Sequence, residues 1–403
     1  MSSGQRERRE RTRLGRVGAP LRIAMLAPPW IPIPPPAYGG IEHVVALLSD
    51  ELVRRGHEVT LFAAPGSRSA AIVRSPLSRP YPRQIGQALY EADHVARAFA
   101  EIEDDGRRAF DVVHDHSGFT ALALANRVSV PMVHTLHGPF TGDTSGFYAE
   151  HGDRAALVAI SDTQLRDAPA GLRVSAVIPN PIAADVWPLR YEKDDYLLWV
   201  GRMTEGKGPH RAIEAARRAG RPLLIAGPVQ PGQEAFFASE IEPQLDGRRV
   251  RYLGEVGGRA KTELFARASA LLMPIRWPEP FGMVMIEALV CGTPVIAFPE
   301  GAASEVVLHA ENGFHVCDET EMALAVERIG AIDPASCRAS VEGRYHVGTV
   351  AAAYEAVYRR AISSSTTSTL LRAPRHHLVL ADARPSDTSK PRSSTGIAQG
   401  PSL

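Results

Sequence analysis

Two stretches in the second half of the chain combine charged residues with glycine turns. In VGRMTEGKGPHRAIEAARRAG a β-like run ends at Val200, a glycine-rich turn follows, and a helical pattern begins near Pro209. Arg202 and Lys207 then stand on a loop at the carboxyl edge of a sheet, where open α/β folds bind ligands. A guanidinium can fork two phosphate oxygens, while an ammonium acts as a movable point charge. One such contact at about 4 Å gives roughly 4 kcal/mol at an effective dielectric near 20, before desolvation. Two cations could therefore stabilise a leaving diphosphate without a metal; the plainer reading is a solvated basic turn. The second stretch is PIRWPEPFGMVMIEALVCGTPVIAF, Pro274 to Phe298. Trp277 to Phe281 read as a proline-constrained turn, and Gly282 to Val290 as an apolar helix whose free N-terminal amides point into a cleft. Glu279 precedes that helix and Glu287 lies within it. Carboxylates accept hydrogen bonds from adjacent hydroxyls, so one could hold a sugar and the other a ribose. Glu279 as a dipole partner and Glu287 as a buried ion-pair member are the structural alternatives. A glutamate inside so apolar a helix needs a partner, which favours function.

These side chains need strands and helices to aim them. The chain alternates short β-rich runs with amphipathic stretches, the pattern of parallel sheets covered by helices on both faces. Strands are expected at residues 21–27, 59–63, 112–114, 132–135, 156–160 and 174–178, then at 196–200, 223–226, 250–253, 270–273 and 295–297. Two separate sheets are the simplest account. Pro181 to Lys193, with two prolines and a charged EKDD cluster, reads as the linker, with the boundary near residue 190. Residues 343–360 read as a long helix with Val350, Tyr354, Val357 and Tyr358 close to one face. The expected organisation is a basic arm (1–20), a first α/β domain (21–190), a second (191–342), a helix (343–361) and a disordered tail (362–403).

Absences narrow the chemistry. No GxGxxG follows the first strand and no GxxxxGK[ST] loop occurs, which disfavours dinucleotide dehydrogenases and phosphate-loop NTPases. There is no HExxH and no Asp-x-Asp to hold a divalent ion on a diphosphate. His114, Asp115 and His116 in VVHDHSG are expected to end a strand facing the cleft. Two alternating ligands are too few for a metal, leaving acceptor-side contacts or plain loop structure.

GRMTEGKG and EPFGMVMIEALVCGTPVI, together with YGGIEHVV at Tyr38 to Val45 and HTLHGPF at His134 to Phe140, resemble the retaining glycosyltransferase family 4, of GT-B fold. The branch with an APPW-P-P-YGG amino-terminal loop is the one it is most similar to, over residues 20–360. The resemblance implies two Rossmann-like domains closing over a nucleoside diphosphate sugar, which is a substrate, with no cofactor. It places Arg202 and Lys207 on the diphosphate, Glu287 on the ribose, Glu279 on the donor hexose, and Phe281 and Gly282 at the helix that approaches the donor. Gly39 and Gly40 match a glycine turn that lets backbone amides approach the phosphates. His137 matches a position lining the reaction centre near the sugar's hydroxyl 6 and the acceptor. The last helix is implied to cross back onto the first domain. The implied reaction is hexosyl transfer with retention and no metal, from a UDP-hexose first and GDP-mannose next, to an acceptor that the sequence does not identify. Acceptor contacts are expected in loops 67–93 and 139–154. A nucleotide-sugar epimerase, a phosphorylase on the same architecture, and a noncatalytic sugar-nucleotide sensor are the alternatives. Three departures bear on donor identity rather than on the charged positions: Thr204, Glu205 and Gly206 before Lys207, NPIA at Asn180, and Ser304 beside Glu305 in PEGAASEVV.

Composition agrees with such an enzyme. The 403 residues carry 45 Lys+Arg and 45 Asp+Glu, so the body has no field for tracking nucleic acid. Cys291, Cys317 and Cys337 form no CxxC pair, which argues against a disulfide framework and for reducing cytoplasm. No run of 18 apolar residues suggests a membrane span. Weak peripheral contact with membrane is one reading of the arginine-rich arm, and a solvated tail is the other.

Overall fold

The computed structural model describes residues 18–371. Seven strands form the first sheet: β1 (Arg22–Leu26), β2 (Glu58–Phe62), β3 (Ile72–Arg74), β4 (Val112–Asp115), β5 (Met132–Thr135), β6 (Ala156–Ala159) and β7 (Val174–Val177), in the order β3-β2-β1-β4-β5-β6-β7. Six form the second: β8 (Leu197–Val200), β9 (Leu223–Ala226), β10 (Val250–Tyr252), β11 (Ala270–Met273), β12 (Val295–Ala297) and β13 (Gly313–His315), in the order β10-β9-β8-β11-β12-β13. Every pairing is parallel. Strands such as LLWV, ALLM and VIA are apolar throughout because helices cover both faces of a parallel sheet. The two sheets are the doubly wound halves of a GT-B architecture, and their carboxyl edges face one cleft.

Two strands lie where no strand was expected. β3 and β13 are three-residue edge strands, IVR and GFH, too short for a periodic signal. The last helix spans Val347–Leu371, starting later than residue 343 and continuing past residue 361, where a tail was expected to begin. Residues 1–17 of the basic arm and residues from 372 onward lie outside the described residues. Val350, Tyr354, Val357 and Tyr358 are buried with Val45, Leu48 and Leu52 in the core of the first sheet, so this helix completes the first domain although it follows the second in sequence.

The linker is fixed to the second domain by long cationic side chains. Lys193 Nζ donates to the carbonyls of Ala266 and Cys291 and to Thr293 Oγ1, at 2.9, 3.0 and 2.9 Å. Arg338 donates to the carbonyls of Ala184, Trp187 and Val290 at 2.9, 2.9 and 3.1 Å. Across the cleft, the Glu305 carboxylate accepts from the Thr163 hydroxyl and amide and from the Asp162 amide. Ser161 Oγ donates to the Pro280 carbonyl at 2.7 Å.

Candidate active site

Between the domains lies a cavity of about 320 Å³, to which the first domain gives Trp30, Ile31, Gly39, Glu42, Ile85 and His137 and the second gives Arg202, Lys207, Trp277, Glu279 and Phe281. A smaller chamber of about 80 Å³, containing His43, Lys261 and Glu287, opens from it past Tyr38, Gly39 and Gly40. The cleft therefore brings together Arg202, Lys207, Glu279, Glu287, Phe281, Gly282, Gly39, Gly40 and His137, but not His114, Asp115 or His116.

Their local folds explain the placement. β8 ends at Val200, and Thr204 caps the following turn by accepting from the Lys207 amide. That turn holds Lys207 over the Trp277 ring, with Nζ 4.6 Å from the centroid, and against the Glu279 carboxylate. Trp277 Nε1 donates to the same carboxylate at 2.9 Å. Burial pulls the Lys207 pKa down, and the neighbouring Glu279 acts in the opposite direction. Arg202 reaches Gln230 Oε1 from Nη1 at 3.3 Å, while its buried Nε has no hydrogen-bond partner among the described residues. The guanidinium is therefore only partly engaged by protein and keeps donors for an anion.

The helix Met283–Val290 starts from Gly282, whose φ of 78° places it in the left-handed region. A Cβ there would come within 2.8 Å of the Met273 and Met285 methyls. Near the far end of this helix Glu287 is 2% exposed. Its Oε1 accepts from Lys261 Nζ at 2.5 Å, and its Oε2 has no partner among the described residues. Both readings of Glu287 are thus physically present, an ion pair on one oxygen and an open acceptor on the other. Gly39, with φ 154°, precedes the helix Gly40–Arg54, and its Cβ would meet Ile31 Cδ1 at 2.6 Å and Pro35 Cβ at 2.7 Å. The demand for glycine at position 39 comes from the proline-rich loop folded beneath it. A Cβ on Gly40 would meet nothing within 4 Å of protein.

His137 is half-buried at the end of β5, with Nε2 2.8 Å from His116 Nδ1. Burial pushes its pKa down to about 3, with His134 adding to that and Asp115 opposing it, so the ring is neutral near pH 7. His114, Asp115 and His116 are a correction. They are 0%, 0% and 2% exposed and lie beneath the cleft floor. With helices on both sides of a parallel sheet, alternation does not reveal which face meets the ligand. His134 Nδ1 bonds Asp115 at 2.6 Å in the same layer.

Sequence reasoning did not find Trp30, Glu42, His43, Ile85, Gln230 or Lys261. Glu42 is 6% exposed, and burial pushes its carboxyl up to about 7. Of loop 67–93 only Ile85 lines the main cavity, whereas Pro139 and Phe140 of loop 139–154 line a neighbouring one with Arg166 and Arg276. Among the described residues no helix is long and apolar enough to cross a membrane.

Comparison with known proteins agrees with this architecture. A family model described as Glycosyltransferase Family 4 matches residues 38–186, and one described as Glycosyl transferases group 1 matches residues 186–332. A glycogen synthase of Mycobacterium tuberculosis is 28% identical, with 79% of this chain and 88% of that protein covered. A D-inositol 3-phosphate glycosyltransferase of Acidothermus cellulolyticus is 27% identical, with 89% and 95% covered. The crystal structure of AviGT4, a glycosyltransferase involved in avilamycin A biosynthesis, superposes with a TM-score of 0.65 at 28% identity, covering 85% of this chain and 98% of that one. Anabaena HepE in complex with UDP and glucose shares the fold with a TM-score of 0.63 at 20% identity, covering 86% and 100%.

Proposed function

From a chain that belongs to the group 1, family 4 type of GT-B glycosyltransferases, we propose hexosyl transfer from a nucleoside diphosphate sugar to an acceptor hydroxyl, with retention and without a metal ion. The observation that carries this reading is the convergence of Arg202, Lys207 and Glu279 at one end of a cleft whose other end holds the open oxygen of Glu287. In this reading Arg202 and Lys207 meet the diphosphate, where negative charge grows as the sugar departs, so they act mainly on the transition state. In the same reading the amides that open the helices Gly40–Arg54 and Met283–Val290 add to the favourable field on that anion. Glu279, already oriented by Trp277, accepts from hydroxyls of the hexose, and Glu287 Oε2 accepts from the ribose.

A UDP-hexose is the leading donor; AviGT4 and the inositol phosphate glycosyltransferases are similar enough to support the reaction class and leave the acceptor open. The acceptor enters against Trp30, Ile31 and Ile85, with its reacting hydroxyl toward His137. In this reading neither Glu42 nor Glu279, the carboxylates lining the cavity, attacks the sugar, and the departing phosphate takes the acceptor's proton on the face it leaves. Incubation with UDP-glucose, GDP-mannose and ADP-glucose, with and without EDTA, tests the proposal through nucleotide release and proton NMR of the anomeric product. Release from a UDP-hexose, an α anomer first, and indifference to EDTA are expected. Tight nucleotide-sugar binding without release would favour a noncatalytic sensor, and EDTA sensitivity would overturn metal independence.

A further inference from the structure

Residues 34–38 leave the first domain as a stiff arm. Pro28, Pro29, Pro32, Pro34, Pro35 and Pro36 fix the backbone φ at six of the nine positions from 28 to 36. The arm is anchored at Ile33, which is 1% exposed: its amide donates to Ser67 Oγ at 2.9 Å, and its carbonyl accepts from the Arg68 amide at 2.6 Å. Beyond that anchor it crosses to the second domain and meets Gly257, in the turn that follows β10.

The backbone at Gly257 makes no demand for glycine. Its φ of −142° and ψ of 176° are extended geometry that any residue adopts. What is missing is room. A Cβ there would overlap the Pro36 carbonyl oxygen and lie 2.9 Å from Ala37 Cα and 3.0 Å from the Pro36 carbonyl carbon. These three nearest atoms are all backbone of the other domain, and the prolines leave that backbone little freedom to retreat. The need for glycine at position 257 therefore comes from domain closure.

The contact also sits where closure has most leverage. The chain crosses between the domains at Ile182, paired with Tyr345 and Val347. Glu305, which binds Thr163 beside those crossings, follows β12, whereas Gly257 follows β10 at the opposite edge of the second sheet. That edge carries the small chamber: Gly201, Gly227 and Glu255, which follow β8, β9 and β10, line it from the second domain, and Ala37, Tyr38 and His43 line it from the first. With the arm seated, a nucleoside bound to Glu287 is enclosed between the two domains.

We propose that Gly257 is a positioning residue for the transfer reaction: it lets the proline arm seat on the second domain and latch the jaw over the small chamber, and the nucleotide leaves when the arm lifts. That the chamber holds a nucleoside rests on the glycosyltransferase reading of the cleft, while the latch itself is readable without ligand.

Gly257→Ala and Gly257→Leu drive a small and a large wedge into the contact. Solution scattering of the full chain without ligand should give a radius of gyration that rises in the order parent, Gly257→Ala, Gly257→Leu. Trp30, Trp199 and Trp277 line the main cavity, so tryptophan fluorescence follows the binding and release of UDP. UDP should bind Gly257→Ala roughly 10-fold more weakly, mainly through a faster off-rate, as when the closed form falls to about a tenth of the population. Pro36→Gly relaxes the arm and, added to Gly257→Ala, should restore part of that affinity, which damage inside the second domain would not allow. A radius of gyration equal to the parent's in both wedged variants overturns the latch. An unchanged UDP off-rate in a chain that scattering shows to be open overturns its part in release. If Gly257→Ala does not fold and Pro36→Gly does not recover it, glycine is needed within the second domain and the proposal falls. A parent that binds no UDP refutes the nucleotide reading, and with it the release step, while the scattering order still decides the latch.

Discussion

Replacing Lys207 by methionine separates catalysis from the pair that Lys207 makes in the resting protein. The ammonium sits over Trp277 and against Glu279, with side-chain exposures of 18% and 11% for Lys207 and Glu279. Losing one preorganised charge partner of a developing anion costs about 2.7–4 kcal/mol of barrier, or roughly 10² to 10³ in kcat. Losing one member of a fully buried pair would destabilise by roughly 3–5 kcal/mol. Here both groups keep some water, and Trp277 still donates to Glu279, so a cost nearer about 1–2 kcal/mol is expected. Lys207→Met should therefore melt a few degrees lower and turn over 10² to 10³ more slowly, as about the same factors predict. Adding Glu279→Gln removes the stranded charge: the melting temperature should recover while kcat stays low. Nucleotide release with saturating UDP-glucose, beside a melting curve for each protein, reads both effects. A kcat within threefold of the parent for Lys207→Met would show that this cation does not meet the leaving group.

Other perturbations test the surrounding structure. Glu42 has a folded pKa near 7 against an ordinary 4.5, so its stabilising protonated state is complete below pH 4.5 and is lost as pH rises through 7. Glu42→Gln should match the parent near pH 4.5 and exceed it at pH 8 by up to about 3 kcal/mol in urea unfolding; equal slopes would refute this. His94 is fully buried and depressed to about 4 from an ordinary 6.5, so it favours the fold above pH 6.5 and opposes it as pH falls toward 4. His94→Leu should flatten unfolding midpoints in that window, and a slope as steep as the parent's would count against it. Gly39→Ala places a Cβ 2.6 Å from Ile31 Cδ1; a lower melting temperature and a raised donor KM are expected, and parental values would mean the proline loop yields. Glu305→Ala removes the carboxylate that holds Thr163 and Asp162 across the cleft. It should increase the radius of gyration in solution scattering, and no increase would show that this contact does not keep the domains closed.

What could be read from sequence was local. Arg202, Lys207, Glu279 and Gly282 sit in short motifs where a strand, a glycine turn and a helix follow one another, so type and spacing suffice. Lys261 and His43 come from helices far apart in sequence and meet only because the two sheets face each other. Trp30 and Ile85 lie in irregular loops whose path no periodicity encodes. β3 and β13 are held by pairing with a longer neighbour rather than by their own composition. His114 and His116 looked like cleft residues because they end a strand, yet Tyr354 and Tyr358 pack on His114 from a helix more than 200 residues away, and His116 lies between His114 and His137.

The chain passes between the domains twice, and the two passages touch. The Ile182 amide donates to the Tyr345 carbonyl at 2.7 Å, and the Val347 amide donates to the Ile182 carbonyl at 3.1 Å. Two parallel threads stitched together in this way act as a door hinge: the domains can swing about them but can hardly slide or twist apart. The jaw must therefore open at the side away from Ile182, while Glu305 and Ser161, which share a pocket with Pro179, Arg344 and Tyr345, brace the hinge itself. Cutting either thread leaves a first domain with Tyr354 and Tyr358 no longer tethered in register, so the first domain should not survive as an independent piece.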